Sequence, residues 1–183
     1  GLVVTPGFVD LGARLREPGD EHRAFLKSEL DAALAGGVTS LVCPPDTEPV
    51  LDEPGLVEML KYRASILNKA HIYPLGALTI GLHGEKLTEM SELTDAGCIG
   101  FSNANAPMPD TEMLLRVMQY AIQVSKLNYA QTRGQMQFLS LSEVFYLATK
   151  SGGSFFGKVG SFEKGYEFDA LVVDDSYLNY DNF

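Results

Sequence analysis

Along the first two thirds of the chain, short apolar runs alternate with longer segments in which apolar residues recur every three or four positions. Gly7-Phe8-Val9-Asp10-Leu11 reads as a strand, and Asp20 to Ala35 reads as a helix stopped by Gly36-Gly37, a helix-end signal. Val38-Thr39-Ser40-Leu41-Val42-Cys43 is a second apolar run, rich in β-branched residues. Asp52-Glu53-Pro54 opens the next helix: acidic side chains favour a helix N-terminus, and Pro is tolerated in the first turn. Its apolar stripe is Leu56, Val57, Leu60, Ala64 and Leu67. His71 to Thr79 is the third strand, with Pro74 inside it as a residue that weakens a strand assignment. Leu87 to Ala96 is a short helix ended by Gly97, and Cys98-Ile99-Gly100-Phe101 is the fourth strand. From Asp110 to near Leu127, residues Leu114, Val117, Met118, Ala121 and Ile122 fall at helical spacing.

Strands starting near residues 8, 38, 72 and 98 recur about every thirty residues, the length of a βα unit. An α/β fold with a parallel sheet and helices packed on it follows, and right-handed crossovers place every strand C-terminus on one face. The loops at that face carry Arg14, Arg16, Asp46, His83, Asn103 and Asn105, where function in such folds usually sits. Beyond residue 127 the pattern changes. Asn128 to Gln137 is polar, a loop or a frayed helix end; Ser140 or Ser142 caps a helix through Lys150. The Gly-rich stretch Ser151 to Ser154, a turn over Val159 to Gly165, an apolar strand Ala170 to Val173 and a loosely held acidic tail complete the chain.

The 183 residues carry a formal charge of −10, which argues against partners recognised through phosphates, so neither nucleic acid nor an anionic membrane is expected. Two cysteines make no disulfide framework and fit a reducing cytoplasm. No leader pattern and no run of eighteen apolar residues is visible, which adds to the expectation of a soluble cytoplasmic protein.

The segment Thr5-Pro6-Gly7-Phe8-Val9-Asp10-Leu11-Gly12-Ala13-Arg14-Leu15-Arg16-Glu17-Pro18-Gly19 resembles the amidohydrolase superfamily, specifically the dihydroorotases. Their motif at the end of the first barrel strand is Pro-Gly-x-x-Asp-x-His-x-His-x-Arg-x-Pro-Gly. The likeness continues through Pro45-Asp46-Thr47-Glu48-Pro49-Val50 and Gly100-Phe101-Ser102, and covers residues 1–121. It implies a partial TIM-type (β/α) barrel, and with the residue pattern this gives residues 1–127 as a half-barrel of four βα units and residues 128–183 as a C-terminal helix, Gly-rich turn and strand with a loose acidic tail. It also implies a metal-dependent hydrolase that interconverts dihydroorotate and carbamoyl aspartate. Arg16 matches the arginine that binds the substrate carboxylate, and Asp46 stands where the family has a substrate-site asparagine.

The departures fall on the metal site. The two motif histidines are Gly12 and Arg14, and an aspartate-rich segment after the fourth strand is Asn103-Ala104-Asn105. Neither a hydrogen atom nor a permanent cation replaces a neutral imidazole ligand. This pattern is similar to the inactive dihydroorotase homologues that assemble with aspartate transcarbamoylase as structural subunits. Residues 122–183 resemble the C-terminal part of guanine deaminase, through Ala148 to Gly157 and Val159 to Val173. Strands five to eight of a barrel have no counterpart, so the chain reads as a chimera joined near Tyr120-Ala121.

Two readings assign a function, and a third is that the chain has no selected function. In the first, the protein is non-catalytic, holds no cofactor, and assembles with aspartate transcarbamoylase or, through open sheet edges, with itself. In the second, it is an amidohydrolase that uses zinc-activated water to cleave a C–N bond in a cyclic amide or a purine amine. His22, His71 and His83 show no ligand spacing, although His83 sits on the loop after the third strand. Cys43 and Cys98 read as small core residues. Residual binding of a small acid at Arg16 competes with a plain ion-pair cluster of Arg14, Arg16, Glu17 and Asp46. Gly152-Gly153-Ser154 reads as a helix end, not a phosphate cradle, since it lacks the Lys-Ser/Thr of a P-loop.

Overall fold

The computed structural model describes residues 4–109, 111–131, 139–146 and 161–166. Strands β1 (Phe8–Asp10), β2 (Val38–Cys43), β3 (His71–Ala77) and β4 (Gly100–Ser102) form a parallel sheet in the order β1-β2-β3-β4. Helices α1 (Leu26–Ala35), α2 (Pro54–Leu67) and α3 (Met90–Ala96) follow the first three strands in turn. The curled sheet and its flanking helices make a half-barrel, a partial TIM-type α/β barrel, as the βα spacing and the motif resemblance implied. By its internal contacts the chain divides into compact units Gly1–Pro109 and Asp110–Phe183, ahead of the boundary expected at residue 127.

In the first unit, α1 buries Leu26 and Leu30, α2 buries Val57 and Leu60, and α3 buries Leu93, in one core with Leu41 and Cys43 of β2. Each fully buried leucine contributes about 2 kcal/mol of apolar transfer free energy. Local signals place α2 where the pattern put it: Pro54 occupies its first turn, and Asn68 ends it in a left-handed conformation. β2 likewise matches its apolar run.

Other boundaries move because side chains reach the backbone. α1 starts at Leu26 instead of Asp20. Residues 20–25 form turns in which the Arg23 and Ala24 amides donate to the Asp20 carbonyl, so His22 lies on a turn and not on a helix. The buried Glu17 carboxylate accepts the Leu26 amide at 2.6 Å and so holds the helix start in place. α3 starts at Met90, where the preceding Thr88 hydroxyl donates to the Ala77 carbonyl at 2.6 Å. β3 ends at Ala77, and β4 runs over Gly100–Ser102. Pro74 is tolerated inside β3 because the strand changes partner there. Residues 71–74 pair with β2, and residues 75–77 pair with β4.

In the second unit, α4 (Thr111–Gln131) packs Met118 and Ile122 against Val144 of α5 (Leu141–Tyr146). The polar stretch expected from Asn128 therefore begins as the last turn of α4. Ser140 is the cap of α5. Its hydroxyl accepts the Glu143 amide at 3.2 Å, while the Glu143 carboxylate accepts the Ser140 amide at 2.8 Å. That backbone bond and the Ser140 hydroxyl hold the Glu143 carboxyl below its usual range. The Gly-rich stretch, the strand at Ala170 to Val173 and the acidic tail lie outside the described residues. No helix among the described residues is long and apolar enough to cross a membrane.

Candidate functional site

The strand C-termini deliver two loops to one place. The loop after β1 is anchored by the Ala13 amide, which donates to the Val42 carbonyl of β2 at 2.9 Å. This sets Arg14 beside the loop after β2, where its Nε donates to Asp46 Oδ2 at 2.8 Å. Arg16 follows in a left-handed conformation, φ 64°, with its guanidinium 4.0 Å from the Asp20 carboxylate. Arg14, Arg16, Glu17, Asp20, Asp46 and Glu48 line a cavity of about 190 Å3. The structure thus brings the two expected substrate-site residues, Arg16 and Asp46, to one cavity, with Arg14 bonded between the loops.

The charge balance of that cavity differs from a simple anion site. Its lining residues carry two guanidinium groups and four carboxylates, of which the Glu17 carboxylate is engaged elsewhere, and Asp46 Oδ1 is buried without a hydrogen-bond partner among the described residues. Glu17 leaves the local cluster expected for it. It is 3% exposed and pairs with Arg63 of α2 while accepting the Leu26 amide. No local spacing signals that pairing, because the partner sits one βα unit away.

The loop after β4 is also committed to internal bonds. Asn103 is buried; its Oδ1 accepts the Thr79 hydroxyl at 2.7 Å and its Nδ2 donates to the Ala106 carbonyl at 3.1 Å. Thr79 in turn accepts the Gly84 amide at 3.0 Å. Sequence reading did not single out Thr79, whose burial beside a polar partner is a tertiary fact. Asn105 and the three histidines are exposed and stand apart from the cavity lining. Burial pushes the Cys43 thiol up to about 12, with Asp10 adding to the effect, and pushes Cys98 up to about 11 against the opposing charge of Lys61. Both remain protonated thiols at neutral pH, as their reading as core residues implied.

A divalent metal at the strand ends needs neutral imidazoles or carboxylates. Gly12 offers no side chain, and a Cβ built there would meet nothing within 4 Å. Arg14 offers a permanent cation already spent on Asp46. Among the described residues, no group of three or more His, Cys, Asp or Glu is arranged to hold a metal ion. The residues present do not fit a metal at this position.

Residues 1–136 match the family model described as dihydro-orotase-like. A dihydroorotase-like protein of Pseudomonas putida is 48% identical over 121 residues, which is 66% of this chain and 28% of that protein. The dihydroorotase of Pelobacter propionicus is 38% identical over 133 residues, 72% of this chain and 31% of the other. The chain therefore spans about three tenths of the length of these relatives. A crystal structure of guanine deaminase from C. acetobutylicum aligns with 94% of this chain and 41% of its own, at 30% identity and a TM-score of 0.42.

Proposed function

The chain belongs to the dihydro-orotase-like family, and from that premise we propose that it is a metal-independent, non-catalytic member with a role in assembly. The resemblance implies aspartate transcarbamoylase as the partner. The observation that carries the reading is the Arg14–Asp46 ion pair at 2.8 Å. The family is usually zinc-dependent, and here a guanidinium stands at a position where the motif has a histidine ligand. A divalent cation 4 Å from an unpaired guanidinium would be repelled by roughly 8 kcal/mol at an effective dielectric of about 20, and by much less here, where Asp46 pairs with the charge and solvent reaches the half-exposed side chain. What Arg14 takes from a metal is chiefly the ligand position and the Asp46 carboxylate. The Asn103 bonds to Thr79 and Ala106 support the same reading, since they use that side chain's polar atoms for loop closure. The joint near Tyr120-Ala121 is part of the proposal on the strength of the guanine deaminase-like segments alone.

The test is metal analysis of the purified chain with dihydroorotase and guanine deaminase assays. Substoichiometric zinc and no turnover are expected; stoichiometric zinc with either turnover overturns the reading. Titration into aspartate transcarbamoylase, followed by light scattering, tests the partner. A titration in which the mass of the transcarbamoylase never rises removes the assembly role.

A further inference from the structure

Among the described residues, the sheet ends in two strands bonded on one side only, β1 to β2 and β4 to β3. Both ends carry exposed apolar side chains. Val4, Phe8, Val9 and Leu11 are 95%, 68%, 60% and 72% exposed, and Ile99, just ahead of β4, is 57% exposed. All three residues of β1 are exposed, so the strand is covered on neither face. Folded proteins blunt such an edge with lysine, proline or a covering element. The one charge on β1, Asp10, is instead turned back on its own loop, with Oδ1 accepting the Gly12 amide at 2.9 Å. The four apolar side chains around β1 present on the order of 400 Å2, comparable to the largest apolar patch on a typical monomer, which is often a functional one.

We propose that these edges form an interface between two copies of this chain, each setting its β1 against the partner's fourth strand about a two-fold axis parallel to the strands. Every pairing within the sheet is parallel, and only an axis along the strands keeps the new pairings parallel. That operation joins β1 to β4 twice and leaves neither edge of the four described strands open. Four curled strands from each copy supply the eight that close a barrel of this type. The alternative two-fold, perpendicular to the strands, pairs β1 with β1 in antiparallel fashion and leaves both β4 edges and Ile99 in water. The closed arrangement is finite and satisfies both seams at once. It goes beyond the proposed function and holds or fails independently of it.

The test is the mass of the full chain in solution, by light scattering over a concentration range, with charged variants at each edge. The expected mass is twice the 19.9 kDa of one chain. Val9→Lys and Ile99→Lys, each with an unchanged far-UV circular dichroism spectrum, weaken the dimer at least tenfold. Ile66→Lys, at a residue of α2 that is 64% exposed, leaves it intact. A monomer at every concentration, growth into larger assemblies, or a dimer indifferent to either edge variant overturns the proposal.

Discussion

The pair formed by Glu17 and Arg63 is unequal, and the inequality predicts how its two halves respond to substitution. Glu17 is 3% exposed, whereas the Arg63 side chain is 49% exposed. Replacing Arg63 with Met leaves a buried carboxylate whose remaining support is the Leu26 amide. Stranding a buried charge costs about 3–5 kcal/mol. Replacing Glu17 with Gln keeps an acceptor for the Leu26 amide and frees a guanidinium that is already half in water. The cost falls to about 1–2 kcal/mol, the difference between a charge-assisted and a neutral hydrogen bond. Glu17→Ala lies between, because it orphans the first amide of α1 and leaves a void. Urea unfolding followed by circular dichroism measures the ranking, and hydrogen exchange at the Leu26 amide reports the helix start locally. Exchange accelerates in Glu17→Ala and stays protected in Glu17→Gln. If Arg63→Met costs no more than Glu17→Gln, or the double variant shows coupling below about 0.5 kcal/mol, the burial argument is refuted.

Further outcomes follow from other contacts. Gly19 adopts φ 110°, and a Cβ there would lie 2.6 Å from the Glu48 carbonyl oxygen; Gly19→Ala is expected to destabilise by about 1–3 kcal/mol in the same unfolding assay. Asn103→Leu removes the acceptor of the Thr79 hydroxyl and the donor to Ala106; a loss of about 1–3 kcal/mol is expected, and a thermal midpoint equal to the parent's would contradict the role given to this network. Native Cys43 and Cys98, with thiols pushed up to about 12 and about 11 by burial, should resist iodoacetamide at pH 8 and react on unfolding, as read by mass spectrometry. Their folded values lie above the ordinary thiol value of 9.0, so the unfolded chain sheds these protons first. Stability contributed by the protonated thiols is complete below pH 9 and declines as pH rises towards 12.

What the sequence determined by itself is what short-range chemistry controls. Proline in the first turn and a stripe of apolar residues define α2, β-branched residues define β2, and the regular βα spacing implies parallel strands. The Gly12 and Arg14 departures were equally legible, because the chemistry of a metal ligand is a property of the residue type. Tertiary structure decided the rest. The start of α1 depends on Glu17 reaching the Leu26 amide, and the local cluster read for Glu17 gave way to Arg63 on a helix that the core packs beside it. Asn103 turned inward to Thr79, a partner that only the adjacency of β3 and β4 supplies. Pro74 sits within β3 because the strand exchanges neighbours there. In each case the deciding atom lies beyond the reach of local spacing, nine residues away for Glu17 and Leu26 and 24 for Asn103 and Thr79, and the packed core brings it within hydrogen-bonding distance.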